Sequence, residues 1–210
     1  MRLFVLGATG RTGKHILDLA LARGHQVTAF VRSPQKITRR DKALTVVGGD
    51  PLRADELARA LPGHDAVLSV LAPPGREGLR PSTLMAEFAA STVAAMKTAG
   101  VNRLAIVSAA ILFPEKGLRF MFFRWLLRHH ARDLVAMEAV VRATPFDWTI
   151  ARPARLIESS AEKYQSKRDA LPDGGSPMSF RSVAAFLLDS VEQDAHRREI
   201  VGLDRARSET

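Results

Sequence analysis

The sequence predicts an α/β protein built on a doubly wound parallel sheet, and three observations carry that prediction. Short β-branched or apolar runs alternate with longer stretches of helical period, a glycine-rich turn follows the first run, and Gly or Pro closes most segments. The composition permits such a fold: of 210 residues, 46% are hydrophobic and 25% charged. A chain of that length buries a sizeable core without disulfides or structural metal. It contains no Cys, which excludes a disulfide scaffold, a thiolate metal cluster, an iron–sulfur centre and cysteine-based catalysis.

The elements follow in order. Arg2–Leu6 is an apolar run ending at a Gly turn, hence a buried strand. Arg11–Arg23 places Ile16, Leu17, Leu19, Ala20 and Leu21 at helical spacing and stops at Gly24. Gln26–Val31 and Ala43–Val47 read as the second and third strands, the latter closed by Gly48-Gly49. A short helix over Asp55–Leu61 ends at Pro62-Gly63, and Asp65–Leu71 is the fourth strand. Pro73-Pro74-Gly75 and Pro81 bound a loop. Ser82, as N-cap, opens a helix that runs to Ala99 and buries Leu84, Met85, Phe88, Val93 and Met96. Arg103–Val107 is the fifth strand, Ala131–Arg142 a helix, and Asp147–Ala151 a sixth strand stopped by Pro153. Beyond Glu158 the periods weaken to a strand near Lys163–Ser166, a turn at Pro172-Asp173-Gly174-Gly175, a helix Ser182–Val191 and a last strand Glu199–Val201. Five parallel strands with helices between them, plus a looser C-terminal section, are expected. No internal repeat of solenoid length appears.

The first strand runs directly into Gly7-Ala8-Thr9-Gly10-Arg11-Thr12-Gly13 and then a helix. This G-x-x-G-x-x-G, in strand–turn–helix context, suits a dinucleotide pyrophosphate. Gly7 permits the turn, Gly10 lets the backbone approach the phosphates, and Gly13 lets the helix sit close to the sheet. Free amides of the first helical turn then face the anion, with the Thr9 and Thr12 hydroxyls as further donors. Gly13-Lys14 is followed by His15, so the Gly-Lys-Ser/Thr ending of a triphosphatase loop is missing. After the second strand come Arg32 and Ser33 where a NAD site would place a carboxylate, and no acid occurs between Asp18 and Asp41. A guanidinium and a hydroxyl there suit a 2′-phosphate, so NADP(H) is expected in preference to NAD(H).

These residues, with Phe30-Val31-Arg32-Ser33, Val47-Gly48-Gly49-Asp50-Pro51-Leu52, Val93-Ala94-Ala95-Met96-Lys97 and Phe146-Asp147-Trp148-Thr149-Ile150-Ala151-Arg152-Pro153, resemble the atypical short-chain dehydrogenase/reductases. Within that group the chain is most similar to NAD(P)H-binding proteins of the flavin reductase/biliverdin-IXβ reductase type. The resemblance implies one Rossmann-like domain over 1–210, with a cofactor-binding core at 1–155 and a small C-terminal substrate-side section at 156–210. It implies Asp50 and Leu52 by the adenine, Leu71, Ala72 and Pro73 by the nicotinamide ribose, and Ser108 and Ala109 by the nicotinamide. Hydride would then pass to a planar acceptor: a flavin such as FMN, a tetrapyrrole or a quinone.

The departures are as informative. The Tyr-x-x-x-Lys pair of standard short-chain dehydrogenases is missing, since the single tyrosine is Tyr164 and Arg168 stands four residues on. The second hydroxyl expected after Ser108 is replaced by Ala109, and Arg155 stands where the flavin reductase type can carry a His. Ser108 is therefore the one catalytic candidate. A non-catalytic NADP(H) sensor resembling the nitrogen-metabolite-repression regulators is the alternative to a reductase.

The formal charge of +9 favours an anionic partner. In Gly117–Arg132, Arg124, Arg128 and Arg132 share a helical face amid Phe120, Met121, Phe122, Phe123 and Trp125. That segment reads as a lid over a planar anion, a dimer contact, an interfacial anchor or a core helix with snorkelling arginines. Arg152, Arg155 and Trp125 are the candidate substrate contacts. The six histidines show no metal spacing, and no nucleic-acid-binding module is recognisable. The longest uncharged, largely apolar run, Leu104 to Phe113, is about half the ~20 residues that span a bilayer. A cytoplasmic monomer or homodimer is expected.

Overall fold

A computed structural model describes residues 1–73, 81–114, 127–173 and 177–206. Its strands are β1 (Arg2–Leu6), β2 (Gln26–Val31), β3 (Leu44–Gly48), β4 (Ala66–Ser69), β5 (Arg103–Val107), β6 (Asp147–Pro153), β7 (Leu156–Ile157), β8 (Tyr164–Arg168), β9 (Met178–Ser179) and β10 (Glu199–Arg205). Its helices are α1 (Arg11–Ala22), α2 (Ala54–Ala60), α3 (Leu84–Ala99), α4 (Arg128–Arg142) and α5 (Phe180–Glu192). The main sheet has eight strands in the order β3-β2-β1-β4-β5-β6-β10-β8. All pairs are parallel except β10 with β8. This is the Rossmann arrangement.

Period-two alternation divides the core. Leu3 and Val5 of β1, Ala105 of β5 and Ala151 of β6 face α1 and α5, which supply Ile16, Leu17, Phe186 and Leu187. Phe4 and Leu6, Leu104 and Ile106, and Ile150 point the other way, toward Leu57 of α2, Phe88 of α3 and Leu134 of α4. Both faces are covered, which is why the strands read as continuous apolar runs rather than as alternations.

The C-terminal part is more regular than its weak periods suggest. Instead of standing off as a looser section, β10 and β8 extend the main sheet, and α5 packs along α1. Strand β10 runs to Arg205 because it is paired on both edges, by β6 and by β8. Pro153 does not stop β6: it lies opposite Leu203, and the next amide, Ala154 N–H, donates to Leu203 O at 2.9 Å. The two-residue strands β7 and β9 pair with each other and were not foreseen. The α5 cap is Ser179, whose Oγ accepts from Ser182 N–H at 2.8 Å.

Helix α3 also starts differently. Ser82 Oγ accepts only the Leu84 amide, at 3.1 Å. The next two amides, Met85 and Ala86, donate to the carboxylate of buried Asp133 on α4, each at 3.1 Å. A carboxylate from a neighbouring helix thus takes the capping role and ties α3 to α4.

Candidate functional site

Strand order reverses between β1 and β4, and the chains leaving their C-terminal ends diverge there, opening a crevice. A cavity of about 870 Å³ fills it, within the range typical of small-molecule and cofactor sites. Its wall runs from Arg32, Ser33 and Lys36 after β2, past Gly7, Thr9, Gly10, Arg11 and Thr12, to Ser108 and Ala109 after β5. Strand β4 ends at Ser69, two residues before the expected Leu71, because Val70 and Leu71 leave the sheet to line this cavity with Ala72 and Pro73.

The glycines have separate tasks. Gly7 has φ +84°, and a Cβ there would lie 2.7 Å from Val70 O. At Gly13 a Cβ would lie 2.1 Å from Gly7 O, so α1 can lie against the β1 turn only without a side chain. Gly10 differs: its backbone is extended, and a Cβ would meet only Gly7 O, at 3.2 Å. Its bare Cα fronts open space in the cavity. The first α1 hydrogen bond is Lys14 N–H to Gly10 O, at 3.0 Å. The preceding amides of Arg11, Thr12 and Gly13 have no helical carbonyl to reach, no side chain caps them, and no acid stands in that turn. Orphan donors, the helix dipole and a cradle that a side chain would fill suit a pyrophosphate. Such a dinucleotide would be held at α1, with its adenosine end toward Arg32, Ser33 and Lys36.

At the other end the Ser108 hydroxyl donates to Glu138 Oε1 at 2.6 Å. Arg152 bonds both oxygens of the same carboxylate, Nε to Oε1 at 2.9 Å and Nη2 to Oε2 at 2.6 Å. The Arg152 guanidinium also lies 4.7 Å from the centroid of the Phe113 ring. Alternation explains the meeting: Ser108 shares a face with Leu104 and Ile106, Arg152 with Ile150, and both point toward α4. The pair is buried, with side-chain exposures of 13% for Arg152 and 5% for Glu138. Arg152 is therefore held in an ion pair with Glu138 and does not itself line the cavity. Arg155 is exposed and does not line the cavity, while Trp125 lies outside the described residues, as does most of the segment 117–132.

Other expected site residues divide similarly. Ala8 is fully buried in the core and Gly13 packs under the turn, so both shape the loop without lining the cavity. Asp50 accepts the Leu52 amide at 3.0 Å, and Leu52 is exposed; neither lines the cavity, where Pro51 between them does. Lys36, Met85, Leu134 and His130 line it and were missed. Tyr164 lies elsewhere, on β8, where burial first and then its bond to Asp189 at 2.6 Å push its hydroxyl well above the usual tyrosine range. Among the described residues no cluster of metal-binding side chains occurs, and no helix is long and apolar enough to cross a membrane.

Comparison with known proteins agrees with this geometry. The uncharacterized protein YwnB of Bacillus subtilis (strain 168) is 28% identical over 213 residues, spanning 95% of this chain and 96% of that one. The oxidoreductase stcQ of Emericella nidulans is 30% identical over 222 residues, spanning 92% of this chain and 78% of that protein. A Rossmann-fold NAD(P)-binding family protein from Shigella flexneri superposes with a TM-score of 0.74 at 26% identity, over 100% of this chain and 95% of the other. A wide-type short-chain dehydrogenase/reductase of Veillonella parvula, solved with NADP, shares the fold at a TM-score of 0.75 and 18% identity, over 100% and 96% of the chains. The family model for NAD(P)H-binding proteins matches residues 7–194, and the chain belongs to that family.

Proposed function

We propose that the protein is an NADP(H)-dependent reductase that passes hydride to a planar acceptor such as a flavin, a tetrapyrrole or a quinone. One observation carries the reading: a single continuous cavity joins a cationic end, an uncapped helix N-terminus and an apolar-walled end at β5. Arg32 and Lys36 would hold the 2′-phosphate with Ser33, the amides of α1 the pyrophosphate, and Leu71, Ala72 and Pro73 the nicotinamide ribose. When bound, the dinucleotide would supply the hydride; the protein supplies its position against the acceptor. The oxidoreductase named among the relatives supports a redox role for the cavity.

A non-catalytic NADP(H) sensor is the competing reading, favoured by one observation: the Ser108 proton is committed to Glu138. Absorbance at the NADPH band, followed with FMN, riboflavin and a quinone as acceptors, separates the two. Turnover well above the protein-free blank supports the reductase. Tight NADPH binding without turnover on any acceptor overturns it in favour of the sensor.

A further inference from the structure

The cavity wall carries four ionisable side chains among the described residues: Arg11, Arg32, Lys36 and His130. Arg32 and Lys36 follow β2, on the far side of the β1–β4 reversal from Ser108. Arg11 is exposed, lies 4.2 Å from the centroid of the Phe180 ring and pairs with Glu158 at 3.9 Å. His130 alone belongs to the acceptor end. It stands in the first turn of α4, which precedes β6, and Leu134 one turn on lines the same cavity. Positions i and i+4 share a helix face, so this face of α4 presents an imidazole and then an apolar wall to whatever lies above Ser108.

We propose that His130 donates the proton when a carbonyl-type acceptor, a ketone or a quinone, is reduced in this cavity. The inference rests on the reductase reading and assigns it a proton source. Ser108 cannot fill that role while its hydroxyl proton is directed at a carboxylate already held by Arg152. The His130 ring, by contrast, makes no hydrogen bond to a described residue. Its acidic neighbour Asp133 is engaged by the α3 amides. In the balanced step, the dihydronicotinamide C–H bond breaks, its hydrogen and electron pair pass to the acceptor, the acceptor's C=O π pair settles on oxygen, and that oxygen takes the imidazolium proton. The acceptor gains two electrons, the dinucleotide loses two, and solvent returns a proton to His130.

The surroundings make the ring a stronger acid than usual. Burial pushes the His130 pKa down, and the charge of Asp133 opposes this only in part. Among the described residues, the elements packed on α4 add few other charges. Helix α3 brings Glu87, which accepts from Thr83 at 2.6 Å; β6 brings Arg152, neutralised by Glu138; the turn Ala110–Leu112 brings none. On α4 itself, Arg128 and Arg132 are exposed.

The test uses the full chain, NADPH and a water-soluble naphthoquinone. In the wild type, log kcat should fall with unit slope as pH rises through the His130 pKa. His130→Gln should lower kcat by about 100-fold and flatten that limb while leaving the NADPH Kd within about twofold. Independently of turnover, the imidazole resonances of His130, assigned by their loss in His130→Asn, should titrate below the usual histidine range and shift when NADPH is added. A His130→Gln protein that keeps both kcat and the pH limb overturns the proposal and leaves the reductase reading standing. A wild type that binds NADPH but reduces no acceptor overturns that reading, and the proposal with it. Resonances of His130 unmoved by NADPH would place the ring away from the bound cofactor and also overturn the proposal.

Discussion

Replacing Glu138 with Leu tests whether Arg152 is a structural cation rather than a substrate contact. The carboxylate takes three hydrogen bonds, one from Ser108 and two from Arg152, and both members of the ion pair are nearly out of water. Removing it leaves a buried guanidinium whose only other described contact is the Phe113 ring. An orphaned buried charge costs about 3–5 kcal/mol, well above the ~1 kcal/mol of an exposed pair. For a chain of 210 residues, with roughly 2–4 °C per kcal/mol, Tm should drop by about 6–20 °C. The double variant Glu138→Leu/Arg152→Met removes both charges and should recover most of the loss. Urea unfolding followed by circular dichroism measures the cycle. A Glu138→Leu protein destabilised by less than about 1 kcal/mol, or a double variant no better than the single, would refute the assignment.

The glycine loop should separate binding from folding. Gly10→Ala keeps an extended backbone and meets only Gly7 O at 3.2 Å, so its stability should stay within about 1 kcal/mol while NADPH affinity falls at least tenfold. Gly13→Ala drives a Cβ to 2.1 Å from Gly7 O and should lower Tm sharply; thermal melts beside fluorescence titrations read both effects. Arg32→Ala should weaken NADPH by about 10- to 100-fold, the worth of a charge-assisted hydrogen bond, and leave NADH nearly unchanged. Lys36→Ala should act in the same direction, more weakly. Acid should destabilise the fold through His64, whose pKa burial lowers. Its ring bonds Leu61 O at 2.9 Å and Thr28 Oγ1 at 2.8 Å. The unfolded chain binds the proton more readily, so stability is lost as pH falls below the ordinary histidine value of about 6.5. The same slope should shrink in His64→Gln, measured by urea midpoints between about pH 7 and pH 5.

Period and punctuation made the sheet legible. Strands β1, β2 and β5 stand at the bounds their apolar runs predict, because burial on both faces demands uninterrupted hydrophobic sequence. The C-terminal strands were less visible: β8 is an edge strand, YQSKR, with polar residues that need face no core. The site divides along the same line. Its backbone half was readable, since glycine spacing reports a close approach that only glycine allows. Its side-chain half depends on contacts distant in sequence. Glu138 reaches Ser108 across 30 positions and Arg152 across 14. Yet the alternation that places Ile106 and Ile150 on one face of the sheet also places Ser108 and Arg152 there, opposite the helix carrying Glu138. His130 was hidden by its neighbour His129: adjacency on a helix says nothing of which ring faces inward until the partner surface is known. Lys36 lay in a loop whose course only the Pro34–Lys36 turn defines.

Titration calorimetry of the purified chain with NADPH, and then with NADH, tests most directly whether uncapped amides and a nearby pair of cations form a phosphorylated-dinucleotide site. One site per chain is expected, with NADPH bound at least about tenfold more tightly than NADH. Absence of heat and of any thermal stabilisation with either nucleotide would contradict the account at its root.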